Sequence, residues 1–265
     1  MDLDRLRAAF DEQVRRNTTT LLPGVAGFRD TGKVLCELAV PGLRRSCVNW
    51  SGLDESGADD AIAGEVDYFR RRGEIFEWQL LGYDEPADLG QRLVRAGFVP
   101  DEEEVLLFAE SAGVPQDVPP PDGIRLIEVR DAAGVEAATA TQEDLVPGSP
   151  RRARHVSRML AGLADDRVAL VLALAGDKPV CSAVVAFGPG PDFAGLYTAA
   201  TRTDWRGRGI YRAIVAYRVR LAVARGFRYL RVETTAMSRP ILRSLGFEPV
   251  SATTTYVWTP GAPAA

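Results

Sequence analysis

The stretch Ala199-Ala200-Thr201-Arg202-Thr203-Asp204-Trp205-Arg206-Gly207-Arg208-Gly209-Ile210-Tyr211 joins two hydrophobic periods. Residues 193–200 before it read as a strand. Residues 210–225 after it read as a long helix, ended by Gly226 at the C′ position. Between them lies a turn rich in glycine and arginine. A helix start carries free backbone N–H groups and the positive end of the helix dipole, so it attracts anions. Gly207 and Gly209 let the backbone approach a bulky phosphate, and Arg206 and Arg208 add charge. A dinucleotide fingerprint does not fit. Its third glycine would fall on Arg212, and hairpins rather than crossover helices join the preceding strands. The loop alone is equally compatible with a plain tight turn carrying a solvated arginine pair.

Working outward, residues 124–129 read as a strand and Asp131 as the cap of a helix reaching about Thr141. Residues 151–163 form a helix with Val156, Met159, Leu160 and Leu163 on one face. Residues 167–175 and 180–187 read as a hairpin across Gly176-Asp177. A strand at 228–233, a short helix at 240–245 closed by Gly246 and a strand at 253–258 complete the half. Upstream, residues 109–123 include Pro119-Pro120-Pro121, which cannot sit inside a helix. The boundary is placed there, with a linker at 111–122 between units at 1–110 and 123–259 and a frayed tail at 260–265. The first unit shows a helix face of Leu3, Leu6, Phe10 and Val14. Strands at 33–40 and 44–50, a helix ending near Gly73, a strand at 75–81, a helix at 86–96 and a strand at 105–108 follow.

The two halves end alike. Arg72-Gly73, a strand, Pro86 and Gly97-Phe98-Val99-Pro100 mirror Arg225-Gly226, a strand, Pro240 and Gly246-Phe247-Glu248-Pro249. Gly97 to Leu107 spans the same distance as Gly246 to Tyr256, which implies two copies of one unit.

Composition removes several function classes. The 265 residues carry 32 Lys+Arg against 36 Asp+Glu, a net charge of −4, which argues against a general nucleic-acid binder. No apolar run approaches the roughly 18 residues of a membrane span. The acidic start, Met1-Asp2-Leu3-Asp4, lacks a signal-like apolar run, so the cytoplasm is the expected compartment. Cys36, Cys47 and Cys181 are scattered, which speaks against a metal site or a disulfide framework. The single histidine, His155, sits among Arg151, Arg152 and Arg154 and reads as a surface residue. No nucleophile elbow and no Gly-Lys-Ser/Thr loop occur.

Arg206-x-x-Gly209 after consecutive antiparallel strands, with Gly246-Phe247 after a further strand and short helix, resembles the GNAT superfamily of N-acetyltransferases over residues 124–258. The resemblance implies two GNAT-like α/β units, each a mixed, mostly antiparallel sheet flanked by helices. It implies transfer of acetyl from acetyl-CoA to an amine by direct attack, without a metal. The pantetheine contacts then fall on Ala199, Ala200 and Thr201. The pyrophosphate contacts fall on Arg206, Gly207, Arg208, Gly209, Ile210, Tyr211 and Arg212. The family's tyrosine acid falls on Leu242, which cannot protonate a thiolate, and the last small residue of the motif falls on Tyr211. The first half looks like a degenerate copy. Its segment 51–60 lacks the arginine–glycine motif and carries Asp54, Glu55, Asp59 and Asp60, which repel a pyrophosphate.

Glu233, at the end of its strand, is the candidate base for an incoming ammonium or, alternatively, the partner of an arginine. Glu143 and Asp144 lie in a loop that either meets the acceptor or is simply solvated. Tyr197 faces a cleft or packs in the sheet, and Trp50 and Trp78 read as core. The expected partners are an amine-bearing small molecule or peptide, with no nucleic acid and no membrane, in a monomer or homodimer. A non-catalytic acyl-CoA-binding regulatory protein and a purely structural pair of domains remain as alternatives.

Overall fold

Small polar residues and glycines set the element boundaries of the computed structural model, which describes residues 2–19, 23–41, 43–143 and 147–261. Asp131 Oδ1 accepts from the N–H of Gly134 at 2.7 Å and starts one helix, and Ser149 Oγ accepts from the N–H of Arg152 at 3.2 Å and starts the next. Gly73, Gly97 and Gly246 adopt positive φ where helices stop, a conformation that suits residues without a Cβ. The first half contains α1 (Leu3–Phe10) continued by a π turn (Asp11–Arg15), β1 (Val25–Asp30), β2 (Val34–Ala39) and β3 (Ser46–Ser51). Then come α2 (Ala58–Arg72), β4 (Phe76–Leu81), α3 (Leu89–Arg95), β5 (Val99–Pro100) and β6 (Glu104–Glu110). The second contains β7 (Ile124–Val129), α4 (Ala132–Thr139), α5 (Pro150–Ala164), β8 (Val168–Ala175), β9 (Lys178–Phe187) and β10 (Phe193–Thr201). It ends with α6 (Ile210–Ala224), β11 (Tyr229–Thr234), α7 (Arg239–Ser244) and β12 (Glu248–Trp258).

The series β1-β2-β3-α2-β4-α3-β6 repeats as β8-β9-β10-α6-β11-α7-β12. In both, the third and fourth strands run parallel and their other pairings are antiparallel. The closing strands are exchanged. β12 pairs with β4 of the first half, and β6 pairs with β11 of the second. β6 and β12 also pair with each other, so both halves share one sheet in the order β1-β2-β3-β4-β12-β6-β11-β10-β9-β8-β7.

Helices α2 and α3 pack over Trp78, Phe76 and Phe98 in one cluster, and α6 and α7 over Leu107, Val215, Val219, Leu230 and Phe247 in another. On the opposite face α1 presents Leu6 and Phe10 to Phe108 and Phe193, while α4 and α5 cover β8 and β9. The sheet curls around this second face. Gln79 on β4 donates to Glu233 on β11 at 2.7 Å, although two strands lie between them. A flat sheet would hold those backbones roughly 14 Å apart.

Three local readings are corrected. β1 had no counterpart among the expected elements. It is an edge strand with only Val25 buried, and Gly27 and Arg29 break the apolar alternation that reveals a strand. His155 is buried, 3.4 Å from Gln142 Nε2, because it shares the inward side of α5 with Met159 four residues on. Trp50 is half-buried beneath the Arg16 guanidinium, 4.3 Å from its ring, whereas Trp78 is core. Of the tail, residues 262–265 lie outside the described residues.

Arg15 in the π turn anchors this layer. Its guanidinium meets both oxygens of Asp84, at 2.8 and 2.7 Å, and the carbonyl of Asn49 at 2.7 Å. Both side chains of the pair are 4% exposed. Arg15→Met leaves Asp84 buried without its cation, and urea denaturation should show a loss of about 3–5 kcal/mol.

Candidate active site

β10 and β11 pair only through Phe193, Ala194 and Gly195. Beyond Gly195, β10 turns away, with Thr198 at φ +42° and a register shift between Tyr197 and Ala200. A non-glycine residue pays a strain cost there, so the kink has to be held. Arg218 on α6 holds it. Its Nη1 donates to the carbonyls of Val184 at 3.0 Å and Tyr197 at 3.4 Å, and its Nε to that of Ile214 at 3.4 Å. Arg218 is fully buried, and desolvation pulls its pKa down. Ala200 and Thr201 still pair with β9 on one edge, while the edge toward β11 has no strand partner. The predicted residues Ala199, Ala200 and Thr201 therefore line a wedge with one free backbone edge.

The wedge leads to the glycine–arginine turn. Glu143 clasps its start, accepting from the Thr203 N–H at 3.2 Å and from Thr203 Oγ1 at 2.8 Å. Those bonds hold its pKa below the ordinary carboxylate value, so Glu143 braces the loop; Asp144 lies outside the described residues. Arg206 Nε donates to the Thr201 carbonyl at 3.1 Å, and Arg208 lies over the Trp205 ring, 4.6 Å from its centroid. Gly207 and Gly209 sit at φ +74° and +81°. α6 begins without a side-chain cap, and among the described residues no acceptor meets the N–H groups of Gly207 through Arg212. Arg206, Gly207, Arg208, Gly209, Ile210 and Arg212 are thus brought together around one set of open donors. Tyr211 departs from the expected set. Its side chain turns into the core between α6 and the sheet, its hydroxyl beside Arg218 and Ser238, so the ring leaves the donors clear.

On the concave side, Tyr197 and Arg231 flank the wedge, and the Tyr197 hydroxyl accepts from Arg231 Nη2. Glu233 accepts from Gln79 and stands 3.9 Å from Arg231, the arginine partner that the sequence offered as its alternative role. Its side chain remains a quarter exposed. Glu104, on the exchanged strand β6, has its pKa raised by burial and then by the Glu233 charge. Leu242 is buried in the apolar cluster beneath α7 and offers no hydroxyl.

The fold recurs in solved structures. A GCN5-related N-acetyltransferase from Kribbella flavida superposes with a TM-score of 0.68 at 19% identity, over 98% of this chain and 96% of its own. A tandem GNAT protein from the clavulanic acid biosynthesis pathway gives 0.62 at 14% identity, over 92% and 86% of the two chains. A GCN5-related N-acetyltransferase from Sphaerobacter thermophilus gives 0.61 at 14% identity, over 86% and 76%. The chain has the tandem GNAT fold. Neither a family model nor a curated protein matches the sequence.

The first GNAT-like unit closes its own version of the anion loop. Asp54 Oδ1 accepts from the N–H of Ser56 at 3.0 Å and of Gly57 at 2.7 Å, and from Ser56 Oγ at 2.7 Å. A carboxylate of the chain itself thus takes the two N–H groups that match those of Arg208 and Gly209 before α6. Sequence reading gave the acidic excess of this segment and missed that one acid sits on the donors. It also missed Arg218, whose signal was a lone charge on the apolar face of α6 among Ile214, Val215, Val219 and Ala222. Gln79 and Glu104 gave no signal, because the exchange of β6 and β12 brings them to Glu233.

The bond from Ser56 Oγ, then that from the Gly57 N–H and the charge of Lys33, lower the Asp54 pKa to about 2. With the folded value below the unfolded value near 3.9, its contribution to stability is present above that pH and disappears as pH falls toward 2. Carboxyl NMR titration should show Asp54 ionising near 2, and a value at or above 3.8 would contradict the loop geometry.

Proposed function

We propose that the protein is an acetyl-CoA-dependent N-acetyltransferase acting on an amine acceptor. The second unit, residues 123–259, binds the coenzyme, and the first, residues 1–110, completes the acceptor side. One observation carries the reading: among the described residues, a strand edge without a partner leads into a helix start whose donors have no acceptor. An extended ligand with amides along its arm and a phosphate at its end fits that sequence of groups. Ala199, Ala200 and Thr201 offer backbone partners to the arm. Arg206, Gly207, Arg208, Gly209, Ile210, Tyr211 and Arg212 offer backbone N–H groups and positive charge to the pyrophosphate, Tyr211 through its backbone alone.

Acetyl-CoA supplies an acetyl thioester and a thiol leaving group. Glu233 takes the proton from the acceptor ammonium, directly or through a water, since an alkyl amine of pKa about 10.4 arrives charged. Gln79 and Arg231 fix the direction of its carboxylate. Leu242 gives the departing sulfur no proton, and a thiol pKa of about 8.5 lets it leave as the thiolate. The buried Leu242 also supports a second reading, a non-catalytic acyl-CoA binder, which would bind the coenzyme without releasing CoA in the presence of any amine.

Calorimetry should give one acetyl-CoA per chain, and Arg206→Ala should weaken binding by about 1–3 kcal/mol. A stoichiometry near two, or an unchanged dissociation constant in the variant, would count against the loop. Glu233→Gln should lower turnover on the order of 10²–10⁴-fold at neutral pH with acetyl-CoA affinity retained. Raising the pH should partly restore it, because more amine is then neutral. Wild-type turnover in that variant would discard Glu233 as the base.

A further inference from the structure

The wedge closes at Tyr197 and Arg231. β10 and β11 pair for the last time at Gly195 and Arg231, and the kink follows at Thr198. The Tyr197 ring folds back over Gly195. A Cβ on Gly195 would stand 2.9 Å from Tyr197 Cζ and 3.1 Å from its hydroxyl oxygen, so any side chain there displaces the ring. The ring packs against the apolar cluster beneath α4 and α5, and its hydroxyl accepts from Arg231 Nη2. That bond occupies a lone pair and leaves the O–H to donate elsewhere. Among the described residues no acceptor takes it.

Arg231 backs this hydroxyl from inside the protein. It is 8% exposed, and its Nε is enclosed without a hydrogen-bond partner. Its Nη1 stands 3.9 Å from Glu233 Oε1, too far for a hydrogen bond. One guanidinium therefore holds the Tyr197 hydroxyl with one nitrogen and faces Glu233 with the other. Arg231 and Glu233 are alternate residues of β11 and project from the same side of the sheet.

The coenzyme reading gives this closed end its occupant. With the pyrophosphate before α6, the arm runs back along β10 past Thr201, Ala200 and Ala199. The next positions are Thr198 and Tyr197, so the thioester at the tip of the arm comes to the hydroxyl, with the amine beside Glu233. We infer that Tyr197 is a catalytic residue, its hydroxyl donating to the thioester carbonyl oxygen as negative charge develops there, and that Arg231 is its positioning residue. The inference rests on the acetyltransferase reading and adds a group to that site. The amine nitrogen bonds the carbonyl carbon while the C=O pair moves onto oxygen. The pair returns as the C–S bond breaks, and sulfur leaves with the bonding electrons. Glu233 holds the first ammonium proton, the second passes from nitrogen to the released thiolate, and Tyr197 keeps its own. A phenol hydrogen-bonded to a buried cation donates more strongly than one in water, and it is already oriented when the charge forms.

The test compares the full wild-type chain with Tyr197→Phe, which keeps the ring and removes only the hydroxyl. CoA release is followed with an amine panel, and acetyl-CoA binding by calorimetry. The carbonyl stretch of bound acetyl-CoA, isotopically labelled at the carbonyl carbon, is read by infrared difference spectroscopy. The variant should lose kcat on the order of 10²–10³-fold, with KM and the acetyl-CoA dissociation constant little changed. The stretch should lie at lower wavenumber in the wild type than in the variant, because a hydrogen bond weakens the C=O bond. Wild-type kcat in Tyr197→Phe, or the same stretch in both proteins, overturns the inference. So does a loss of kcat matched by an equal loss of acetyl-CoA affinity, which marks a structural role for the hydroxyl. A wild type that binds acetyl-CoA with the lowered stretch but releases no CoA retains the Tyr197 contact and overturns the transferase reading alone. Absence of acetyl-CoA binding overturns both.

Discussion

The exchange of β6 and β12 is the constraint on which the rest of the molecule depends. Each GNAT-like unit lends its last strand to the other, so neither sheet is complete from its own half of the chain. Because β6 and β12 pair with each other as well, the joint is a ladder of backbone hydrogen bonds through the middle of one sheet. The curl of that sheet then brings β4 and β11 side chains into contact over the concave face. Gln79 can reach Glu233 only in this arrangement. The second ties are local and polar. Gln13 Nε2 donates to Asp192 at 2.7 Å and its Oε1 accepts from the Asp192 N–H at 3.1 Å, and Arg7 donates to the Val250 carbonyl at 2.6 Å.

The same sheet has to open at one place, and the chain spends a buried arginine on it. A wedge between parallel strands leaves backbone groups unpaired, which is costly in a core. Arg218 gathers the carbonyls of Val184 and Tyr197 at the kink, and Thr198 absorbs the backbone strain. The remaining free edge faces outward near exposed Thr198 and Ala199, where water or an amide-bearing ligand satisfies it. Burial without a carboxylate partner is what makes Arg218 read as a device of the site rather than as a stabilising pair.

Much of this was legible in the sequence because it depends on local chemistry. Gly207 and Gly209 mark positive φ, and Gly226, Gly246 and Asp131 mark helix ends. The repeat was legible because both halves carry the same punctuation at the same spacing. That sameness hid the exchange. β6 and β12 stand at equal distances from their Gly-Phe turns, so no local pattern says which sheet each one closes. What depended on the exchange was hidden with it, including Gln79 and Glu104 beside Glu233. Tyr211 was read at the phosphates because motif position was taken as side-chain position. On a helix start the backbone faces the anion while the side chain is free to turn inward, and here it does.

The two units differ in the turn before their long helices. A working loop needs donors without acceptors, which destabilise a fold unless a ligand or water takes them. Before α2, Asp54 takes the N–H groups of Ser56 and Gly57, and Lys33 stands 3.5 Å from Asp54. Freed from that demand, the first unit contributes only what the joint and the concave face require: β6 with Glu104, β4 with Glu77 and Gln79, and the Arg15–Asp84 anchor beside them. Before α6 the donors stay open and the fold carries the cost. The asymmetry between two copies of one unit thus lies in the residues just before each helix, where Asp54 takes the N–H groups of Ser56 and Gly57 while, among the described residues, nothing takes those of Arg208 and Gly209.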